Sequence, residues 1–225
     1  MSIPVPQELV TVQQYFAARE FRAERFGEYH LHSWQKYFGE DPDFCAFVDR
    51  HPGPIARGDF TVIGDDGCKT LADARQLFLA SMIWGYGTVG YGAYRTRHML
   101  STPGADEQLQ AAIQSVASGQ LIEAYQALQL YKCGPSFMSK FLYAIGLRIG
   151  ATSLPLILDS IVARSLQRLL ASQGVDHRSF FTLDGNGMVC RDADGYARYV
   201  LLPNEWASTL GVLPDAVELC LFEMG

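Results

Sequence analysis

The chain has 225 residues, a formal net charge of −6 and a hydrophobic share of 48%. This balance excludes a disordered chain of low hydrophobicity. No apolar run reaches the roughly 18 residues of a transmembrane helix, and the first residues lack the basic and apolar regions of a secretion signal. We therefore expect a soluble, cytoplasmic protein that makes no contact with a membrane.

The cysteines are five in number and widely separated, and none forms a C-x-x-C pair. This spacing argues against a zinc site, an iron–sulfur cluster and a disulfide framework. We expect free, buried thiols and neither a metal nor a cofactor. The cysteines are Cys45, Cys68, Cys133, Cys190 and Cys220.

The N-terminal part combines aromatic and charged residues with a segment rich in turns. Residues 6–37 predict one or two amphipathic helices, whereas the prolines and glycines of residues 39–66 predict mostly irregular structure. Thr70, with Asp73 three positions later, is typical of a helix start. We expect a single domain, residues 1–225, with an N-terminal helical and irregular part (1–66) and a helical core (70–225).

The predicted core is a series of helices separated by glycine-containing turns. Because alternating βαβ units are absent, we predict a mainly helical, all-α fold. Residues 180–199, rich in Gly, Asp and Asn, predict a loop or one small β-hairpin. The helices are expected at residues 71–82, 94–99, 108–116, 121–131, 136–147, 159–172, 206–210 and 215–224.

The chemically informative residues are Lys140 and Asp159. Lys140 lies in an apolar, aromatic helix, where desolvation would lower the pKa of its ammonium group and make the amine a usable nucleophile. Asp159 follows an apolar run and begins a helix, whose free N–H groups favour a charged carboxylate. Taken singly, each has an ordinary explanation, a solvated helix lysine and a helix cap.

The two residues also belong to a recognisable pattern. The segment G-P-S-F-M-S-K-F-L-Y, followed by P-L-I-L-D-S-I-V-A, resembles the helix-hairpin-helix DNA glycosylases of the 8-oxoguanine glycosylase superfamily, in particular a bacterial OGG-fold branch. The step of 19 positions from Lys140 to Asp159 is similar to the lysine-to-aspartate step of the bifunctional members. The resemblance implies that Lys140 attacks C1′ of a modified nucleotide and leaves a Schiff base. It implies that Asp159 stabilises the positive charge on the sugar.

The resemblance further implies that the partner is DNA containing a modified base. A base pocket needs flat faces and a few hydrogen-bonding groups, and the candidates for these are Trp84, Phe137, Phe141, Asp215, Glu218 and Phe222. For the aromatic residues, core packing is the alternative explanation. Residues 88–168 carry seven Lys and Arg against four Asp and Glu, which permits a local basic face. The candidates for contacts with the DNA backbone are Gly134, Ser136, Arg95, Arg97 and Arg148.

Four hypotheses follow, of which the last is a plain helical scaffold, which would make the pairing of Lys140 with Asp159 a coincidence. The first is a glycosylase with lyase activity that removes an oxidised or otherwise modified base similar to 8-oxoguanine. The second keeps this chemistry but places it in antiviral defence, with modified phage DNA as the substrate. The third is a module that binds a modified nucleobase or a protein without turnover, which the acidic net charge favours slightly. The enzymatic hypotheses require Lys140 and Asp159 to meet inside an open cleft, and a Lys140 on the outer surface would exclude them.

Overall fold

The computed structural model describes residues 3–16, 20–64 and 69–225, and these residues are mainly helical, which confirms the predicted fold class. The N-terminal part contains β1 (Arg25–Gly27) and β2 (Ile55–Ala56), which pair antiparallel. None of the helices in the described ranges combines the length and apolar character needed to cross a membrane. The helices are α1 (Val12–Phe16), α2 (Leu31–Phe38), α3 (Pro42–Arg50), α4 (Leu71–Tyr86), α5 (Gly92–Leu100), α6 (Ala105–Ala117), α7 (Leu121–Ala127), α8 (Pro135–Ile149), α9 (Ser160–Ser172), α10 (Ala193–Leu210) and α11 (Pro214–Glu223).

Several of these helices begin at the capping residues and prolines that predicted their starts. The Thr70 hydroxyl accepts a hydrogen bond from the Asp73 N–H at 3.2 Å, and the Asp73 carboxylate accepts one from the Thr70 N–H at 3.1 Å. Pro135 is the first residue of α8, where its missing N–H costs nothing. Asp159 caps α9 by accepting from the N–H groups of Ile161 and Val162, both at 3.0 Å.

Three segments differ from the prediction. Residues 128–131, predicted as the end of a helix, are not helical, because α7 ends at Ala127. Within residues 39–66, predicted to be irregular, α3 forms because Asp41 caps it and Pro42 occupies its first position. Residues 193–199, predicted to be a loop or hairpin, form the first turns of α10, which Asp192 caps. Of the predicted β-hairpin, only one antiparallel bridge forms, between Leu183 and Val189. Residues 65 and 66 lie outside the described residues.

The helix α8 runs through the hydrophobic core. Met138, Phe141 and Leu142 are fully buried, and α8 packs against α4, α6 and the short 3₁₀ helix Arg57–Thr61. The buried hydrophobic residues of both predicted parts of the chain belong to one continuous cluster. The position of α8 therefore decides which of its side chains reach solvent.

An extended segment, residues 154–158, leads from α8 to α9 and is tied to α10. The hydroxyl of Tyr196 donates to the Leu156 carbonyl at 2.9 Å, and the hydroxyl of Tyr199 donates to the Ile157 carbonyl at 2.6 Å. These bonds satisfy backbone groups that would otherwise be buried without partners. As a result, the segment delivers Asp159 to a fixed place beside α8.

The four described cysteines are free. Cys133 is buried, as expected. The expectation of burial is wrong for Cys45, which is exposed, and for Cys190 and Cys220, which are half-buried. Cys68 lies outside the described residues.

Candidate active site

The fold brings Lys140 of α8 and Asp159, the cap of α9, together. The Lys140 Nζ lies 3.6 Å from the Asp159 Oδ2, and the two side chains are 12% and 16% exposed. The neighbouring helix α4 passes close to the lysine at Gly85, where an added Cβ would lie 2.8 Å from the Lys140 Cδ. The pair is thus enclosed but still reachable from solvent.

The surroundings of Lys140 favour its neutral form. Desolvation by burial lowers the pKa of Lys140, while the carboxylates of Asp159 and Glu218 oppose this effect and the Arg57 guanidinium adds to it. The net result is a pKa below the ordinary value of 10.5. A larger share of the amine is therefore unprotonated near neutral pH, as a nucleophilic lysine requires.

A cavity of about 290 Å³ opens at this pair. A larger cavity of about 750 Å³ lies elsewhere, beside α7 and the C-terminal end of α8, but neither Lys140 nor Asp159 lines it. We regard the smaller cavity as the candidate active site because Lys140 and Asp159, the pair suited to the expected chemistry, line it. The residues that line the larger cavity include no pair of opposite charges. It is lined by Arg57, Trp84, Gly85, Lys140, Ile157, Asp159, Glu218, Leu219, Phe222 and Glu223.

Arg57 is a residue of the cavity that was not predicted from the sequence. Its side chain is 4% exposed, and its Nη1 donates to the Glu218 Oε2 at 2.5 Å. The guanidinium carbon lies 5.3 Å from the ring centroids of both Trp84 and Tyr143. Burial raises the pKa of Glu218, and the charge of Arg57 opposes the increase. No local signal separates Arg57 from an ordinary surface arginine, since its partners are distant in sequence.

Three residues of the cavity wall also have a buried polar atom without a partner within the described part of the chain. These buried atoms are the Nε of Arg57, the Nε1 of Trp84 and the Oε1 of Glu218. Buried polar groups are normally paired because an unpaired one costs free energy. Two donors and one acceptor on residues of the cavity wall are therefore left unpaired.

The structure places three of the six predicted base-binding residues on this cavity: Trp84, Glu218 and Phe222. Phe137 lies beside it, with its ring stacked on Tyr86 at 4.0 Å between centroids and 5.6 Å from the Lys140 Nζ. Phe141 is fully buried and packs edge-on against Phe78, so it does not line the cavity.

Asp215, another predicted base-binding residue, is fully buried behind the cavity. Its carboxylate accepts two hydrogen bonds from Arg22, at 2.7 and 2.8 Å, and one from the Tyr143 hydroxyl at 2.8 Å. Because the Tyr143 ring lies against the Arg57 guanidinium, Asp215 supports the cavity wall from behind.

Residues 128–134 connect α7 to α8, and this helix–connection–helix unit is called the hairpin. Arg191 holds the connection by donating to the carbonyls of Leu128 at 2.9 Å and Cys133 at 2.8 Å. Two predicted backbone-contact residues, Gly134 and Ser136, lie half-buried at the start of α8. Lys132 adopts a left-handed conformation with φ of 61°.

The predicted arginines are placed differently from one another. Arg95 is exposed on α5, with its guanidinium 4.8 Å from the Tyr91 ring. Arg97 is exposed and lies 3.8 Å from the Asp41 carboxylate. Arg148 donates to the carbonyls of Ile63 and Gly64 at 2.9 and 2.8 Å, so its cation holds this segment against α8.

Comparison with known proteins gives one family. The family model described as "Putative 8-oxoguanine DNA glycosylase OGG-like protein" matches residues 19–222. Neither the curated proteins nor the solved structures contain a significant match. The matched range covers most of the chain, including Lys140, Asp159 and the cavity from Arg57 to Phe222. The chain therefore belongs to this OGG-like DNA glycosylase family.

Proposed function

We propose that the protein is a DNA glycosylase with AP-lyase activity, which removes an oxidised or otherwise modified base through a Schiff base on Lys140. One observation carries the proposal: the Lys140 Nζ lies 3.6 Å from the Asp159 carboxylate at a cavity that is open to solvent. Membership of the glycosylase family supports DNA as the substrate. The lowered pKa of Lys140 supports its role as the nucleophile.

The first chemical step separates the base from the sugar. The amine lone pair of Lys140 forms a bond to C1′, and the C1′–N bond breaks, so the base leaves with the bonding electrons and takes up a proton. The carboxylate of Asp159 stabilises the positive charge that develops on the sugar. Asp159 is also close enough to accept the proton that the new ammonium group loses.

The second step opens the sugar and can cleave the strand. The nitrogen lone pair forms the C1′=N bond as the C1′–O4′ bond breaks and O4′ takes up a proton, which gives the protonated Schiff base. Loss of a C2′ proton then expels the 3′ phosphate with the electrons of the C3′–O3′ bond. Water finally hydrolyses the imine and regenerates Lys140.

The cavity supports recognition of a base that is rotated out of the DNA stack. Its volume of about 290 Å³ is at the small end of ligand pockets, as suits one base. The Oε1 of Glu218 would accept from an N–H of the base, and the Nε of Arg57 and the Nε1 of Trp84 would donate to a neighbouring carbonyl. The lactam edges of oxidised purines offer this combination of donor and acceptor.

Contacts with the DNA backbone are proposed at the start of α8. There the first N–H groups of a helix, around Gly134 and Ser136, form a favourable site for a phosphate. Arg95 adds an exposed cation nearby. Arg97 and Arg148 already have protein partners, so their contribution to phosphate binding would be smaller.

Borohydride trapping tests the proposal. Wild-type protein and Lys140→Gln are incubated with three matched duplexes, which contain 8-oxoguanine, unmodified guanine or an abasic site. An adduct with 8-oxoguanine that is absent with guanine and absent in Lys140→Gln would support removal of the base through a Schiff base on Lys140. An adduct with the abasic site alone would support the lysine chemistry but exclude 8-oxoguanine as the base.

A panel of other modified duplexes then follows, including the modified bases of phage DNA. An adduct with a phage-type base would favour the role in antiviral defence. If no duplex gives an adduct, including the abasic one, then Lys140 is not a Schiff-base nucleophile. Release of the base without an adduct would then indicate water as the nucleophile, and no release of the base would indicate a binding module.

A further inference from the structure

A group of rings and cations lies beside the hairpin, and apart from Arg95 none of its members has a role in the proposed function. The residues Tyr91, Tyr94 and Tyr131 are 53%, 41% and 55% exposed. Tyr91 precedes α5, Tyr94 lies on α5, and Tyr131 lies in the hairpin connection, so separate segments converge here. The group, called the aromatic–cationic surface, comprises Tyr91, Tyr94, Arg95, His98, Tyr131 and Lys132.

The members of this surface contact one another. The ring centroids of Tyr94 and His98 are 4.4 Å apart, and those of His98 and Tyr131 are 6.3 Å apart. The Lys132 Nζ lies 5.1 Å from the Tyr131 ring and 5.9 Å from the Tyr94 ring. Within the described ranges neither Lys132 nor Arg95 has a carboxylate partner. Their charges are therefore free to attract an anion.

The surface is rigid at the hairpin. The N–H of Tyr131 donates to the Thr102 hydroxyl at 2.8 Å, and Arg191 holds the carbonyls on both sides of the connection. A fixed surface loses little conformational entropy when a ligand binds to it. The exposed rings are thus presented in a preorganised arrangement.

The surface is also connected to the candidate active site. The Tyr91 ring lies 6.0 Å from that of Tyr86, and Tyr86 stacks on Phe137 at 4.0 Å. Phe137 in turn lies under the Lys140 Nζ. Two ring contacts therefore separate the exposed Tyr91 from the ring beneath the lysine, so one ligand strand can reach both places.

The backbone of Lys132 provides an independent argument. Its φ of 61° is in the left-handed region, where a residue with a Cβ is less stable than in the ordinary helical region. Glycine adopts this conformation at little cost. A long cation in a strained position indicates that the charge itself is useful there.

We propose that the aromatic–cationic surface binds an unpaired DNA segment next to the modified nucleotide, with its bases stacked on the tyrosines and its phosphates near Lys132 and Arg95. Only an unpaired strand exposes base faces for such stacking, whereas a duplex keeps them inside. Stacking also suits a chain of net charge −6, which cannot rely on charge alone to bind nucleic acid. The proposal deepens the proposed function and depends on it for the biological substrate.

The test measures fluorescence anisotropy of a labelled oligothymidine and of an unmodified duplex of equal length. Tyr94→Ala and Tyr131→Ala are each expected to weaken binding of the single strand at least about fivefold, from the loss of one stacked base. Binding of the duplex should change less than about twofold, because its bases do not stack on the protein. Tyr94→Phe and Tyr131→Phe keep the ring and should bind as the wild type does.

The variant Lys132→Gly separates charge from folding. It removes the cation and relieves the left-handed strain, so thermal stability should stay the same or rise while single-strand binding weakens. The plot of the logarithm of the binding constant against the logarithm of the salt concentration should become less steep by about 0.7, which corresponds to the loss of one phosphate contact. Arg178→Ala is the matched control, since Arg178 is exposed and paired with Asp176 far from the hairpin in sequence. It should leave binding unchanged.

Equal binding of the single strand by wild type and both alanine variants would overturn the proposal. Equal losses on single strand and duplex would overturn it as well, because stacking on unpaired bases predicts a difference. The DNA in this assay carries no modified base and no borohydride is present. Failure to trap an adduct at Lys140 therefore leaves the binding result unaffected, and a failed binding result leaves the trapping result unaffected.

Discussion

The N–H of Leu158 donates a hydrogen bond to the Ser139 hydroxyl at 3.0 Å, and each of these residues directly precedes one member of the Lys140–Asp159 pair. Ser139 is fully buried and Leu158 nearly so. This single polar contact ties α8 to the extended segment that carries Asp159. It fixes the position of the lysine relative to the carboxylate along the helix axis.

Ser139→Ala should weaken both the fold and the chemistry. The substitution leaves the Leu158 N–H buried without its partner, which should lower the free energy of unfolding by about 1–3 kcal/mol. The loosened pair should form the borohydride-trapped adduct up to about tenfold more slowly, because small misplacements of a nucleophile are costly. Urea denaturation and single-turnover trapping measure the two effects.

Ser81→Ala is the matched control for this serine. Ser81 is also fully buried in a helix, and its hydroxyl donates to the Phe78 carbonyl as that of Ser139 donates to the Ser136 carbonyl. Ser139 also accepts the hydrogen bond from the Leu158 N–H, whereas no N–H of the described residues donates to the Ser81 hydroxyl. Ser81 should therefore tolerate alanine better. If Ser139→Ala lost stability but trapped at the wild-type rate, the bond would not position the catalytic pair.

Gly85→Ala should reduce activity more than stability. The new methyl group would lie 2.8 Å from the Lys140 Cδ and 3.2 Å from the Phe137 ring, so the lysine must move. Alanine is about 1 kcal/mol better than glycine inside a helix, which offsets part of the crowding. We expect a small change in the thermal midpoint and a fall of about 10- to 100-fold in the rate of adduct formation.

Gly185→Ala serves as the control because nothing lies within 4 Å of a Cβ at that position. It should trap at the wild-type rate. A Gly85→Ala variant with full activity would show that Lys140 has room to react from a displaced position.

Asp159→Asn should move the pH dependence of adduct formation to lower pH. The reactive form of Lys140 is the neutral amine, so the rate rises with pH through the pKa of Lys140, which lies below 10.5. The Asp159 carboxylate raises this pKa by stabilising the ammonium form, and its removal should therefore lower the pKa further. The maximal rate should fall, because the charge that stabilises the sugar cation is also lost.

Asparagine still caps a helix, so α9 should remain intact in this variant. Trapping rates on abasic-site DNA over a range of pH give both the midpoint and the plateau. A midpoint that shifts to higher pH would contradict the assigned coupling between the two residues.

The buried pair Arg57–Glu218 should be mutually dependent. Arg57→Met alone or Glu218→Leu alone leaves an uncompensated buried charge and should lower the free energy of unfolding by about 3–5 kcal/mol. The double variant replaces both charges by apolar groups and should recover much of this loss. A double-mutant cycle from urea denaturation measures the coupling.

The same double variant separates base recognition from lysine chemistry. It should no longer trap on DNA with the modified base, since the polar atoms that read the base are gone, but it should still trap on abasic-site DNA. Full activity of the double variant on modified-base DNA would rule out these two residues as the base-reading groups.

The sequence alone determined the features that depend on neighbours within a few positions. The capping residues Thr70 and Asp159 act on N–H groups two or three residues away, so the helix starts could be predicted from local chemistry. The same chemistry was present at Asp41 and Pro42, but the high content of proline and glycine around them led to the wrong prediction of irregular structure. The order and spacing of Lys140 and Asp159 were sufficient for the resemblance to the glycosylase family, and the match over residues 19–222 confirmed it.

Only the tertiary structure decided which side chains surround that pair. Arg57 meets Glu218 across 161 positions, and Arg22 meets Asp215 across 193 positions. Such contacts depend on how helices pack, and no local pattern distinguishes a buried arginine from a solvated one. The lowered pKa of Lys140 has the same origin, because the desolvation that causes it requires α4 at Gly85 and the residues of α11 to close around the amine.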